Sequence, residues 1–201
     1  MKKILLSVFF FFPVFLNAQL FQGGIDVGLI ASQVDGDDFG GYHKAGLSFV
    51  GYTRLNISHT LSLTAGVGYA GKGAHSSSKM SFFTTNLHYA EIPVIINIEP
   101  GAFDNLSFSG GLVYGYLISG TFNDGYTTFG EDFLNLRRSE FSYSASVNYK
   151  LSDRIIVKFV SNYSILPVVK NASILCFGSS CWRNNNLRLT IQYKIFWSDK
   201  K

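Results

Sequence analysis

Residues 140–151 read Glu-Phe-Ser-Tyr-Ser-Ala-Ser-Val-Asn-Tyr-Lys-Leu, a run in which polar and less polar side chains alternate without a break. Successive side chains of a β-strand point to opposite faces, whereas one face of a helix recurs about every 3.6 residues. The alternation therefore predicts a strand with one face of Phe, Tyr, Ala, Val and Leu and another of Ser, Asn and charged groups.

The same alternation recurs along the chain and predicts eight strands. We expect them at about residues 23–34, 43–57, 60–72, 86–99, 105–119, 137–151, 154–165 and 186–197. The links between these segments are alternately long and short, so that all the long links lie at one end. An up-and-down meander with an even strand count and long loops at one end is typical of outer-membrane barrels.

The composition is that of a membrane protein without a membrane helix. The chain has 201 residues, of which 47% are hydrophobic and 15% charged, whereas about 25% are charged in an ordinary soluble domain. Its longest apolar run, residues 4–16, is too short to cross a bilayer as a helix. Apolar side chains at every second position of a barrel account for both observations.

The bulk of the two faces decides between a soluble and a membrane barrel. A lipocalin-like barrel turns its apolar face inward, and a membrane barrel turns it toward lipid. The polar face here is mostly Gly, Ser, Thr and Asn, which suits the narrow interior of eight strands. Tyr116 and Tyr163 near the long loops and Trp197 near the other end fit aromatic girdles. We predict an all-β, eight-stranded antiparallel up-and-down transmembrane β-barrel.

The N-terminus has the pattern of a cleavable signal peptide over residues 1–18, which leaves residues 19–201 as the barrel domain. Lys2 and Lys3 precede the apolar run, and Ala18 precedes the expected cut. The signal and the barrel together predict a multi-pass protein in the outer membrane of a Gram-negative bacterium. Without Lys2 and Lys3 the chain has 15 basic and 13 acidic residues, a net charge of +2. This is too small for a nucleic-acid partner.

Four blocks of the sequence resemble the PorT-like outer-membrane β-barrel family, whose members are often labelled porin family proteins. The blocks are Gly46-Leu47-Ser48-Phe49, Leu61-Ser62-Leu63, Gly68-Tyr69-Ala70-Gly71-Lys72-Gly73-Ala74 and Tyr89-Ala90-Glu91-Ile92-Pro93-Val94. The resemblance implies the barrel fold and the outer-membrane location. It also implies one possible role, as an accessory of a protein secretion or gliding apparatus.

Glu91 is the most informative polar residue, because its position in the alternation directs it into the lumen. An unpaired carboxylate is costly to bury. We therefore expect Glu91 to accept hydrogen bonds from cations among Arg54, Lys158 and Arg188, in a lumenal polar network that plugs the barrel. A proton or substrate site at Glu91 is the alternative. With eight strands and a plugged lumen, we expect no porin-scale conductance.

The long loops hold the remaining candidates. We expect Cys176 and Cys181 to form a disulfide, as two close cysteines of a secreted chain commonly do. Their loop lacks further metal ligands, and we expect no metal or cofactor. Ser76 to Ser78 and the three histidines His43, His75 and His88 leave a loop-based outer-membrane hydrolase or acyltransferase open, although no catalytic motif connects them.

The leading functional hypothesis is a small non-enzymatic barrel whose surface loops have a structural or partner-binding role. Exposed aromatic residues favour protein contacts. The partners expected are outer-membrane lipid and a protein bound at the long extracellular loops or the periplasmic turns. The loop aromatics are Phe82, Phe83, Phe122, Tyr126, Phe129 and Phe133.

Overall fold

The computed structural model describes residues 21–37, 40–76, 83–102, 105–130, 135–170 and 182–196. Within these ranges no helix is long and apolar enough to cross a bilayer. The predicted signal peptide, residues 1–18, lies outside the described residues. The strands are β1 (Phe21–Asp35), β2 (Lys44–Asn56), β3 (Leu61–His75), β4 (Thr84–Ile98), β5 (Leu106–Asn123), β6 (Thr128–Gly130), β7 (Ser139–Lys150), β8 (Ile155–Ser164) and β9 (Arg183–Phe196).

Eight of these strands close into an antiparallel barrel, which confirms the predicted fold. Consecutive barrel strands pair along the chain, β5 pairs with β7, and β9 pairs back to β1. The sheet therefore has no open edge along the barrel wall. Strands β1 and β9 begin and end at the end that carries the short turns.

β6 is the main difference from the predicted strands, because it lies inside the predicted link 120–136. It pairs with the last residues of β5, Thr121 to Asn123, to form a hairpin beyond the barrel wall. Gly125 in the intervening turn has a φ of 93°, a conformation that favours glycine. The Asp124-Gly125 pair is a sequence signal for such a turn. β3 and β5 also extend further toward the long loops than predicted.

The two faces of the wall follow the predicted alternation. On β7, Phe141 and Tyr143 point outward and are exposed, while Ser142 and Ser144 point inward and are buried. Outward aromatic side chains also pair near the long loops, where the rings of Tyr143 and Tyr163 lie 5.5 Å apart. Trp197, expected in the opposite girdle, lies outside the described residues.

The lumen is less uniformly polar than we predicted. Its long-loop end is closed by a cluster of buried apolar side chains, which we call the cap: Leu87, Tyr89 and Leu117 from the strands, and Leu136 and Val168 from the loops. Leu136 forms a bridge with Val169, and the Val168 amide donates to the Trp182 carbonyl. The described ends of two long loops therefore lie over the barrel mouth. Periodicity could not predict this, because the loop residues have none.

Candidate functional site in the barrel lumen

Glu91 lies at the centre of the lumen, directly beneath the cap. Its side chain is 1% exposed. The Arg188 guanidinium of β9 donates to both carboxylate oxygens, at 2.8 and 2.9 Å, and Lys72 Nζ of β3 lies 2.7 Å from Oε1. Bidentate pairing with arginine fixes geometry as well as charge. Glu91 thus connects three strands across the barrel interior.

Lys72 extends this contact to a second carboxylate. Its Nζ donates to Glu140 Oε1 at 2.8 Å and lies 4.8 Å from the centre of the Tyr89 ring. Glu140 also accepts hydrogen bonds of 2.7 Å from Ser142 and from Asn184. We call Lys72, Glu91, Glu140 and Arg188 the charge cluster. Its two carboxylates and two cations balance, as a buried ionic group requires.

Two of the three candidate cations for Glu91 pair with other carboxylates. Lys158 Nζ instead donates to Asp26 Oδ2 at 2.8 Å, and Arg54 donates to Glu99 at 3.2 Å. Both cations lie closer to the short turns than Glu91 does, so each meets a carboxylate at its own level. The expected contact between Glu91 and Arg188 is present.

Sequence reasoning missed Lys72 and Glu140 as members of the lumenal network. The signal was available, because both occupy inward positions of their strands. The alternation shows which face a residue belongs to. It does not show which residues of non-adjacent strands lie at the same height, because that depends on strand tilt and stagger.

Below the charge cluster, toward the short turns, small polar side chains hydrogen-bond to one another around the wall. Asn97 donates to Thr64 at 2.8 Å and accepts from Ser109 at 2.9 Å, and Asn148 donates to Ser109 at 2.7 Å. A cavity of about 70 Å³ lies at this level. Within the described ranges, no cluster of His, Cys, Asp or Glu side chains could hold a metal ion.

Two of the three histidines considered for catalysis, His75 and His88, each contact a hydroxyl group in the described part of the chain. His88 hydrogen-bonds the Tyr69 hydroxyl and stacks on its ring, and His75 hydrogen-bonds Thr84 Oγ1 at 2.7 Å. Both of these hydrogen bonds are to hydroxyl groups, whereas a catalytic triad orients its imidazole through a carboxylate. Cys176 and Cys181, with Phe82 and Phe133, lie outside the described residues, so the disulfide stays a prediction.

Comparison with known proteins agrees with this geometry. The family described as "Outer membrane protein beta-barrel domain" matches residues 17–170. The chain belongs to this outer-membrane barrel family. Its place is therefore the outer membrane of a Gram-negative bacterium, as predicted. No curated protein matches the chain.

Two solved structures are similar in fold to this family member. Ail, the attachment invasion locus protein of Yersinia pestis, in complex with the heparin analogue sucrose octasulfate, has 14% identity and a TM-score of 0.51, covering 87% of this chain and 99% of Ail. Neisserial surface protein A has 12% identity and a TM-score of 0.52, covering 87% of this chain and 97% of its own. At this identity the likeness shows the fold.

Proposed function

We propose that the chain is a non-enzymatic outer-membrane barrel with a closed lumen, and that it acts by binding a protein partner through its long loops. The closed lumen carries the proposal. The charge cluster crosses the interior from β4 to β3, β7 and β9, and the cap covers it. An eight-stranded barrel filled in this way leaves the surface as the place for function.

The β5–β6 hairpin is the loop element best suited to such contacts. Tyr126 at its turn is 98% exposed. Asp124 Oδ1 accepts the amide hydrogens of Tyr126 and Thr127 at 2.9 and 2.7 Å, so the turn is held rigid by its own side chain. A rigid exposed tyrosine offers a large contact area at little entropic cost.

Planar-bilayer recording tests the closed lumen. The purified chain should produce no porin-scale steps, and large, stable open steps would contradict the proposal. A photo-crosslinking residue at position 126 in intact cells tests the surface role, with the same residue at lipid-facing Phe108 as control. A protein adduct formed at 126, and not at 108, supports the proposal; no protein adduct at 126 contradicts partner binding by this hairpin.

The role of an export or motility accessory has less support. Lys72 belongs to one block that resembles the PorT-like family, and Tyr89 and Glu91 belong to another. Lys72 contacts both Tyr89 and Glu91 in the lumen. The role of these residues in filling the barrel is thus enough to explain the presence of both blocks. The blocks therefore give no specific support for a secretion or motility apparatus.

A further inference from the structure

The two halves of the lumen differ in their access to water. The cavity of about 70 Å³ lies on the short-turn side of Glu91. Here the side chains of Lys158 and Asp26 are 19% and 11% exposed, although they form an ion pair. Lys72 and Glu91, above them, are each 1% exposed. The Lys158–Asp26 pair is thus partly open to solvent, whereas Lys72 and Glu91 of the charge cluster are enclosed.

Several polar atoms of residues that line the cavity need partners that the described side chains do not supply. They are Asn162 Oδ1, Thr190 Oγ1 and Gln192 Oε1, each buried without a hydrogen-bond partner in the described part of the chain. All three residues line the cavity. Buried polar atoms in a polar cavity are normally satisfied by water, and a water molecule needs roughly 10–15 Å³ of such volume. The cavity has room for several water molecules.

Above the charge cluster, the long-loop end of the lumen is covered by the apolar cap. The cap presents aliphatic carbon from Leu87, Leu117, Leu136 and Val168. Apolar enclosures of this kind stay dry. Two of these four residues, Leu136 and Val168, come from loops. This part of the cap can be displaced without opening the barrel wall.

From these observations we propose that the barrel is a half-channel. Water enters from the short-turn side, occupies a hydration site lined by Asn162, Thr190 and Gln192, and reaches the Glu91–Arg188 pair. The cap, through Leu136 and Val168, seals the other side. This deepens the closed-lumen part of the proposed function, since a half-channel conducts nothing while the cap is in place.

Thiol accessibility tests the half-channel, with two lumenal serines as a matched pair. Ser144 lines the cavity, whereas Ser164 lies at the long-loop end of β8 and hydrogen-bonds the Leu166 carbonyl. In lipid nanodiscs, Ser144→Cys should react with a small cationic methanethiosulfonate at least about tenfold faster than Ser164→Cys, because a thiol behind the cap is exposed only by local opening. Mass spectrometry follows the reaction, and the parent chain gives the background from Cys176 and Cys181.

Replacing both loop residues of the cap, Leu136→Ser with Val168→Ser, should raise the rate at Ser164→Cys toward that at Ser144→Cys. Comparing heated and unheated samples by gel migration establishes that each variant is a folded barrel. Equal rates at the two positions in the capped chain, or a slow reaction at Ser144→Cys, would overturn the half-channel. A slow reaction at Ser144→Cys in a chain that also fails to conduct would leave the closed lumen standing. Porin-scale conductance would overturn both.

Discussion

Glu91 is the single residue whose removal should disturb the lumen most. Without its carboxylate, the buried Arg188 guanidinium is left with the neutral Asn186 side chain as acceptor, while Lys72 keeps Glu140. Removing one partner of a buried ion pair typically costs about 3–5 kcal/mol. We expect Glu91→Leu to lower the free energy of unfolding by about this amount, and Glu91→Gln by less because its amide oxygen still accepts. Urea unfolding in detergent micelles measures both.

Controls separate the buried pair from ion pairs in general. Lys150 and Asp153 form an exposed pair at 2.7 Å in a short turn, so Asp153→Asn should change stability little. The double variant Glu91→Leu with Arg188→Leu should recover part of the loss, because it removes both buried charges. If neither Glu91 variant is destabilised, the charge cluster does not hold the barrel together.

Gly73 shows how closely two strands approach within the wall. Its φ is 140°, and a Cβ there would lie 1.9 Å from the Thr85 carbonyl oxygen of β4. Gly73→Ala therefore combines backbone strain with a clash and should destabilise the barrel by about 1–3 kcal/mol or more. Gly110 on β5 is the matched control, because its nearest contact would be 3.8 Å away. A thermal shift of similar size for Gly110→Ala would contradict this explanation.

The β5–β6 turn should respond to acid in a defined way. Backbone N–H groups of Thr127 and Tyr126 donate to the Asp124 carboxylate and lower its pKa below the usual 3.8. Since the folded pKa is the lower one, these bonds persist above pH 3.8 and are lost as the pH falls through the folded pKa. In micelle NMR, both amide resonances should titrate with a midpoint below pH 3.8, and Asp124→Asn should abolish this titration. A midpoint at or above 3.8 would contradict the turn geometry.

The strands and the loops differ in how much of them could be predicted from sequence. Alternation is a local property, so residues 140–151 alone show which side chains of β7 enter the lumen. The pairing of Glu91 with Lys72 depends on the register and tilt of the strands, and the burial of Leu136 depends on a loop folding inward. Neither property leaves a periodic trace in the sequence. Charged residues at inward positions therefore predicted that the site lies in the lumen. They predicted only some of the ion pairs that form there.

At the scale of the whole molecule, the barrel reverses the usual distribution of polarity. Ionic side chains occupy the interior, and large apolar side chains cover the wall. Such a surface would be an aggregation hazard in water. In a bilayer this apolar surface contacts lipid, while the polar side chains of the lumen form ion pairs and hydrogen bonds with one another. The arrangement thus gives the fold a direct dependence on its membrane.

The depth of a residue in the bilayer, rather than its exposed fraction, should decide how much a charged substitution on the outer wall lowers the free energy of unfolding. Leu189 lies in the middle of β9 and is 54% exposed; Leu151 follows β7 in a short turn and is 64% exposed. If water surrounded the wall, arginine would be similarly tolerated at both positions. In a bilayer we expect Leu189→Arg to cost about 2–4 kcal/mol and Leu151→Arg about 0–1 kcal/mol. Reversible folding into lipid vesicles measures the difference, and equal costs would mean that lipid does not surround the middle of β9.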